Sequence, residues 1–464
     1  MILKLFNKQI NIFFISLLAA LFISAILQYT WVAAAVILLS FLTYHFGRNF
    51  LLVIVILAYL VVTGENADSV RNYLNIAALL ILTFLFLQKH GFDFKSYSKV
   101  PVEILYFFSF LFFTLLVSST FSREPVNGIM SIIRLSIFLL ICYIFFSLID
   151  SKKILYVYIT GLFFAVLVLG GSIFVSLFQS GFSFVVLAGT LARFSGIYEN
   201  PNYAGLLLVV SVPILICLYF QDYLKSNGYK ILITLALLFC ITILMLADSR
   251  ASLLAIVASA AFIIAILNKS LFIKLSLSLI ALIGILLLIP DVQNFLDLYL
   301  RLDRLSNRDY FWNTGIDIIK AYPVFGVGPD MFQNYFFTYM PSAVNKFYNA
   351  GIWTVGKPHP HNFFIFFTAE NGILGFVSAI YFWILFFYIA VKSIVLTKNI
   401  SKEYFILCVA ITGIGLGMFI RSFFEITGYL TYGFITRDLP FWLMFVILIK
   451  IYRQAKQEKT KIFV

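Results

Sequence analysis

Of the four histidines in this 464-residue chain, two stand together in the phrase Lys357-Pro-His-Pro-His-Asn362. Pro358 and Pro360 favour an extended entry followed by a helix start. His361 is therefore expected at a helix N-terminus, where the helix dipole favours a neutral ring able to accept a proton. The plainer reading leaves His359 and His361 as loop histidines. As a metal pair they lack a further ligand at helical spacing. Arg250, in Ala247-Asp-Ser-Arg-Ala-Ser252, lies at the junction of two apolar runs, and Arg308 lies in Asn307-Arg-Asp-Tyr-Phe-Trp312. Alone, each could be an anchor or a solvated charge, but forked guanidinium donors suit phosphate oxygens.

A third phrase, Arg193-Phe-Ser-Gly-Ile-Tyr-Glu-Asn-Pro-Asn-Tyr-Ala-Gly205, runs into another apolar stretch. Asn202, after Pro201, is expected to cap that helix. Glu370, in Glu-Asn-Gly-Ile-Leu-Gly375, falls nine residues beyond His361. An ionisable group at such depth marks either function or an ion-paired structural role, with Arg421, Glu425 and Arg437 as candidate partners. Tyr322-Pro-Val-Phe-Gly-Val-Gly-Pro329 reads as a tight turn, because it lacks the Lys-Ser/Thr of nucleotide loops.

The elements that carry these residues must be membrane helices. The chain is 62% hydrophobic and 11% charged, against about 45–50% and 25% in soluble domains. Its net charge of +13 does not imply nucleic acid, because the basic residues fall between apolar runs, where they mark the cytoplasmic side. The four cysteines lie inside apolar runs and read as small hydrophobes. Spans are expected near 10–28, 31–46, 50–63, 73–88, 102–118, 131–149, 154–178, 203–220, 229–247, 251–267, 273–290, 361–391, 404–420 and 438–452.

The fold class is thus an all-α polytopic membrane protein, of about 12–14 transmembrane helices with one large periplasmic helical loop. It divides into a bundle (1–290), the loop (291–360), C-terminal helices (361–452) and a basic cytoplasmic tail (453–464). Within the loop, Trp312, Ile316, Ile319 and Phe325 offer an apolar stripe for an amphipathic helix lying on the bundle. Lys-rich connections at 89–99, 152–153, 225–230, 269–274 and 392–402 share one side. That side is cytoplasmic by the positive-inside rule, and the candidate residues face outward.

Taken together, Gly196-Ile-Tyr-Glu-Asn-Pro-Asn202, Ser249-Arg250, Arg308 with Trp312, Pro323-Val-Phe-Gly-Val-Gly328, His361-Asn362 and Glu370-Asn-Gly372 with Gly375 resemble the O-antigen ligase and polymerase superfamily of bacterial membrane glycan transferases. The resemblance spans roughly residues 193–376. It implies an inner-membrane enzyme of cell-envelope and lipopolysaccharide biosynthesis, with about twelve spans and its active site facing the periplasm. The donor would be a glycan on undecaprenyl pyrophosphate, and the acceptor a hydroxyl on a glycolipid such as lipid A-core or on another molecule, with no cofactor, metal or nucleic acid. Arg250 and Arg308 would hold the donor pyrophosphate, and His361 would be the catalytic base. Arg193, Asn202, His359, Asn362 and Glu370 would bind substrate or support the site.

Rival acceptors are a growing polymer or a protein side chain. A lipid-linked glycan transporter should instead carry charged or broken helices near mid-membrane in several spans, and the first half of the chain has few. The sidedness is testable: reporters fused at Lys153, Lys225 and Lys398 are expected to read cytoplasmic, and one at Asn345 extracytoplasmic. A cytoplasmic reading at Asn345 would remove the periplasmic site.

Overall fold

The computed structural model describes residues 47–60, 68–92, 97–182, 185–186, 190–191, 193–198, 200–221, 227–286, 288–290, 308–342, 344–345 and 358–462. Long apolar runs become helices because only a helix satisfies every backbone polar group within one segment. In chain order these are α1 (Gly47–Leu60), α2 (Asp68–His90), α3 (Val102–Phe121), α4 (Pro125–Leu148) and α5 (Lys152–Gln179). Then follow α6 (Pro201–Tyr219), α7 (Asn227–Ala247), α8 (Arg250–Leu267) and α9 (Lys269–Leu286). After the short α10 (Arg308–Ala321) and α11 (Phe332–Tyr339) come α12 (Phe363–Thr397), α13 (Lys402–Arg421) and α14 (Ile435–Ile462). A two-residue antiparallel ladder, Val185–Val186 with Thr190–Leu191, is the one departure from helix among the described residues.

Ten of these helices are long and apolar enough to cross a membrane, and the chain is an all-α polytopic membrane protein. Of the runs expected from the sequence, 10–28 and 31–46 lie outside the described residues; each of the others coincides with a helix. Ion pairs tie the Lys-bearing connections together at one end of the bundle: Arg48–Asp150 (2.9 Å), Lys89–Asp150 (3.6 Å) and Lys152–Glu403 (2.6 Å). The candidate residues collect at the other end.

Small residues set the packing where the site is carried. On α13, a Cβ at Gly417 would collide with Ser259 Oγ of α8, and one at Gly413 would press on Ile263. On α6, a Cβ at Gly205 would collide with Ser252. Without side chains at these points the backbones of α6, α8 and α13 approach closely, which is how membrane helices gain van der Waals contact in a solvent as apolar as themselves.

The large loop is clipped into a break in α12. Gly372 (φ 61°, ψ −153°) interrupts that helix, and the turn Pro323–Gly328 enters the gap. Val327 N donates to Ala369 O (3.0 Å), Gly328 N to Glu370 O (2.8 Å) and Ile373 N to Pro323 O (3.0 Å). Ser118 and Ser122, at the end of α3, donate to Glu370 O and Val327 O. The buried Glu370 carboxylate completes the latch by accepting from Asp330 N (3.0 Å), Phe332 N (2.9 Å) and Tyr432 Oη (2.6 Å).

Two expectations change here. Glu370 has no cationic partner among the described residues, since Arg421 turns to Thr427 and Asn202 and Arg437 to aromatic rings. The buried face of α10 is Thr314, Gly315 and Ile318, while Ile316 is exposed. That shift follows from Gly315, which lets α10 sit directly against Ile365 of α12.

The latch predicts sharply different glycine substitutions. Gly372→Ala and Gly326→Ala, both at positive φ and facing backbone, should each destabilise by about 2 kcal/mol or more. Gly284→Ala, facing open space on α9, should be neutral or stabilise by up to about 1 kcal/mol. Thermal unfolding in detergent measures all three; equal effects would mean that the loop is not clipped to α12.

Candidate active site

The site is organised around a carboxylate, Glu425, buried in the connection between α13 and α14. Its Oε1 accepts from Asn202 Nδ2 (2.7 Å) and Arg308 Nη2 (2.8 Å), and its Oε2 lies 3.4 Å from His361 Nδ1. Four segments that are remote in sequence thus meet at one side chain.

Each segment is held by local chemistry. The α13–α14 connection is stapled to the start of α12, where Phe363 N donates to Ser422 O (2.8 Å) and Asn362 Nδ2 to Phe423 O (3.1 Å). Arg421, fully buried, donates to Thr427 O (2.6 Å) and Asn202 O (3.0 Å), tying the connection to the start of α6. Asn362 caps α12 by accepting from Phe364 N and Ile365 N, so His361 stands one residue outside the helix. Its φ of 47° is left-handed, a conformation uncommon for a residue other than glycine.

Asn202 does not cap α6, as the sequence suggested. Asn200 does, its side chain accepting from Asn202 N (2.9 Å). Both asparagines flank Pro201, and the cap belongs to the residue before the N1 proline. Asn202 is thereby released: its Oδ1 accepts from Arg193 Nη2 (3.2 Å) and Ser249 Oγ (3.1 Å) while its amide nitrogen donates to Glu425. Arg193 also faces Asp248 (3.8 Å).

Burial alone would push the Glu425 carboxyl up, but His361, Arg308 and Arg421 outweigh it and hold the group well below the usual carboxylate range. His359 stacks beside His361, ring centroids 4.1 Å apart, and its Nδ1 has no hydrogen bond among the described residues. Burial first, and then the neighbouring His361, push His359 below its ordinary value against the pull of Glu425. Among the described residues, no three His, Cys, Asp or Glu side chains are grouped so as to hold a metal ion.

The structure brings Arg193, Asn202, Arg308, His359 and His361 together. Arg250 is the first residue of α8, half-buried and one position beyond Ser249, and Asn362 acts as a cap and staple. Glu370 belongs to the latch. Glu425, the residue that joins the rest, was read from the sequence only as a candidate partner for Glu370. Its one sequence signal is an acidic residue four positions after Arg421 in an apolar surrounding.

An apolar groove of about 940 Å³ opens beside this cluster, between α12 and α13. It runs from Asn362 past Phe364, Ile380 and Trp383 to Lys392.

Residues 235–380 match the family model described as O-antigen ligase. This stretch is similar to the O-antigen ligase superfamily. No curated protein matches the chain. The matched stretch includes Arg250, Arg308, His361 and the Glu370 latch, whereas Asn202 and Glu425 lie on either side of it and reach the ligase residues through the fold. The match supports a membrane enzyme of the O-antigen ligase or polymerase type, acting in glycan transfer.

Because the folded carboxyl of Glu425 binds its proton more weakly than the unfolded one, its stabilisation is complete above the ordinary glutamate pKa of about 4.3 and is lost progressively as pH falls from there through the lower folded value. Glu425→Ala, which strands Arg308 and Asn202, should cost about 3 kcal/mol. Unfolding measured from neutral pH down to about pH 2 should show a smaller acid loss in Glu425→Gln than in the native protein. The same acid loss in both would mean that the carboxylate is not the hub.

Proposed function

We propose that this protein transfers a glycan from undecaprenyl pyrophosphate to an acceptor hydroxyl at the periplasmic face of the bacterial inner membrane, by inverting displacement. The observation that carries this reading is the cluster of Arg308, His361 and Glu425 at the mouth of the groove between α12 and α13. The orientation rests on the Lys-rich connections gathered at the opposite end.

In this reading the polyprenyl chain lies along the groove, and its pyrophosphate comes to Arg308 and Arg250. With Nδ1–H directed to Glu425, Nε2 of His361 is the nitrogen that accepts a proton. The acceptor oxygen gives its proton to His361 and bonds to the anomeric carbon as the carbon–oxygen bond to the pyrophosphate breaks. The charge that develops on the leaving pyrophosphate is stabilised by cations already in place, so little reorganisation is needed. The acceptor is a lipid A-core or another glycan in a ligase, a growing chain in a polymerase, and a side-chain hydroxyl in a protein oligosaccharyltransferase.

Purified protein mixed with lipid-linked glycan and each acceptor class tests the proposal. His361→Ala should lower transfer by about 10²–10⁴-fold while donor binding persists, and His359→Ala should be milder. Arg250→Lys and Arg308→Lys should lose most activity, because a point charge does not replace the planar fork. Substantial transfer by His361→Ala would overturn the assignment.

A further inference from the structure

A second cavity, of about 310 Å³, lies on the other flank of the site. It is enclosed by α2, α4, the start of α6 and the start of α14. Two guanidinium groups line it, Arg134 of α4 and Arg437 of α14, with their central carbons 4.5 and 4.8 Å from the centroid of the same ring, Phe434. Both line the same cavity.

The guanidinium donors in this cavity are not all used. Arg134 pairs with Asp330 (2.9 Å), but its Nε is buried without a hydrogen-bond partner among the described residues. The Arg437 guanidinium lies over the rings of Tyr203 and Phe434 and makes no hydrogen bond or ion-pair contact among the described residues, although its charge is felt by Asp438. Asp438, the next residue, turns to Gly428 N and to Thr431. Asn75, in the same wall, leaves its Oδ1 buried and without a partner among the described residues. Aromatic faces hold the Arg437 guanidinium plane but satisfy none of its five donors. A half-buried cation with open donors beside a cavity calls for an anion with several acceptor oxygens.

We infer that this cavity binds a phosphoryl group, through Arg437 with Arg134 in support. It is distinct from the cluster around Glu425 but next to it, since Tyr203 in its wall follows Asn202. Its volume suits a phosphate or diphosphate with part of one sugar. Only the source of that group rests on the glycan-transfer reading: it is either the lipid carrier's head group or a phosphoryl group that arrives without the carrier.

Inorganic pyrophosphate titrated into the full-length protein in detergent, followed by calorimetry, is the test. The native protein should bind it saturably, Arg437→Gln should weaken that binding by about tenfold or more, and Arg308→Gln should retain the Arg437-dependent part. Asn75→Asp, which puts a negative charge into the same wall without touching Arg437, should weaken binding similarly and guards against misfolding of the first variant. Displacement of pyrophosphate by undecaprenyl phosphate in the native protein assigns the cavity to the carrier head group, and absence of displacement assigns it to the other source; either supports the site. No binding by the native protein, or binding unchanged in Arg437→Gln and Asn75→Asp, would overturn it.

Discussion

Moving a carboxylate out of water costs several kcal/mol unless donors and cations surround it, and the end of the bundle opposite the Lys-bearing connections is built around meeting that cost at Glu425. Each oxygen is occupied, by Asn202 and Arg308 on one side and His361 on the other. Those partners come from α6, α10 and the entry to α12. The bundle end cannot open at one of these segments without leaving a buried charge exposed to an apolar surrounding. The same demand fixes the connection after α13, whose backbone is tied to α12 and whose Arg421 is tied to α6. A rigid His361 ring beside a fixed guanidinium is a consequence of satisfying this one acid.

Glu370 solves a related problem in a different way. It is fully buried and has no cation beside it among the described residues, so two backbone amides and a tyrosine hydroxyl carry its hydrogen bonding. What it holds is the outer loop rather than the reaction centre. Because Arg308 opens α10, and α10 leads directly into the latched turn, the break at Gly372 sets where the Arg308 guanidinium can reach. The glycines of the turn and the glycine of the helix are two halves of one joint, separated by more than forty residues of chain.

The helices were legible because apolar runs of spanning length have few alternatives in a membrane. The turn at Tyr322–Pro329 and the proximity of Arg308 to His361 were also within reach of the sequence. The pairing of Gly326 with Gly372 was not, since neither phrase states its partner. Asn200 and Asn202 are equally good caps by type, and the proline between them decides the register in favour of Asn200. The buried face of α10 was misjudged because Gly315 contributes nothing to an apolar pattern yet permits the closest approach. Glu425 escaped for a more general reason: an acid in a connecting segment is solvated by default, and its burial emerges only when several distant segments close over it.

The distribution of charge across the site then bears on how a substrate is oriented. Arg308 is already partly neutralised by Glu425 at 2.8 Å, so its pull on an incoming anion at long range is weaker than its position suggests, although most of its donors stay free for short-range contact. Arg437 makes no ion-pair contact among the described residues, although its charge is felt by the adjacent Asp438. An anionic group approaching this end of the bundle meets the Arg134 and Arg437 guanidiniums on the flank of α4 and α14 and the forked donors of Arg308 beside His361. The apolar groove on the opposite flank offers no charge except Lys392 at its far end. One flank thus suits hydrocarbon and the other suits phosphoryl oxygen, and the cluster of Arg308, His361 and Glu425 adjoins both.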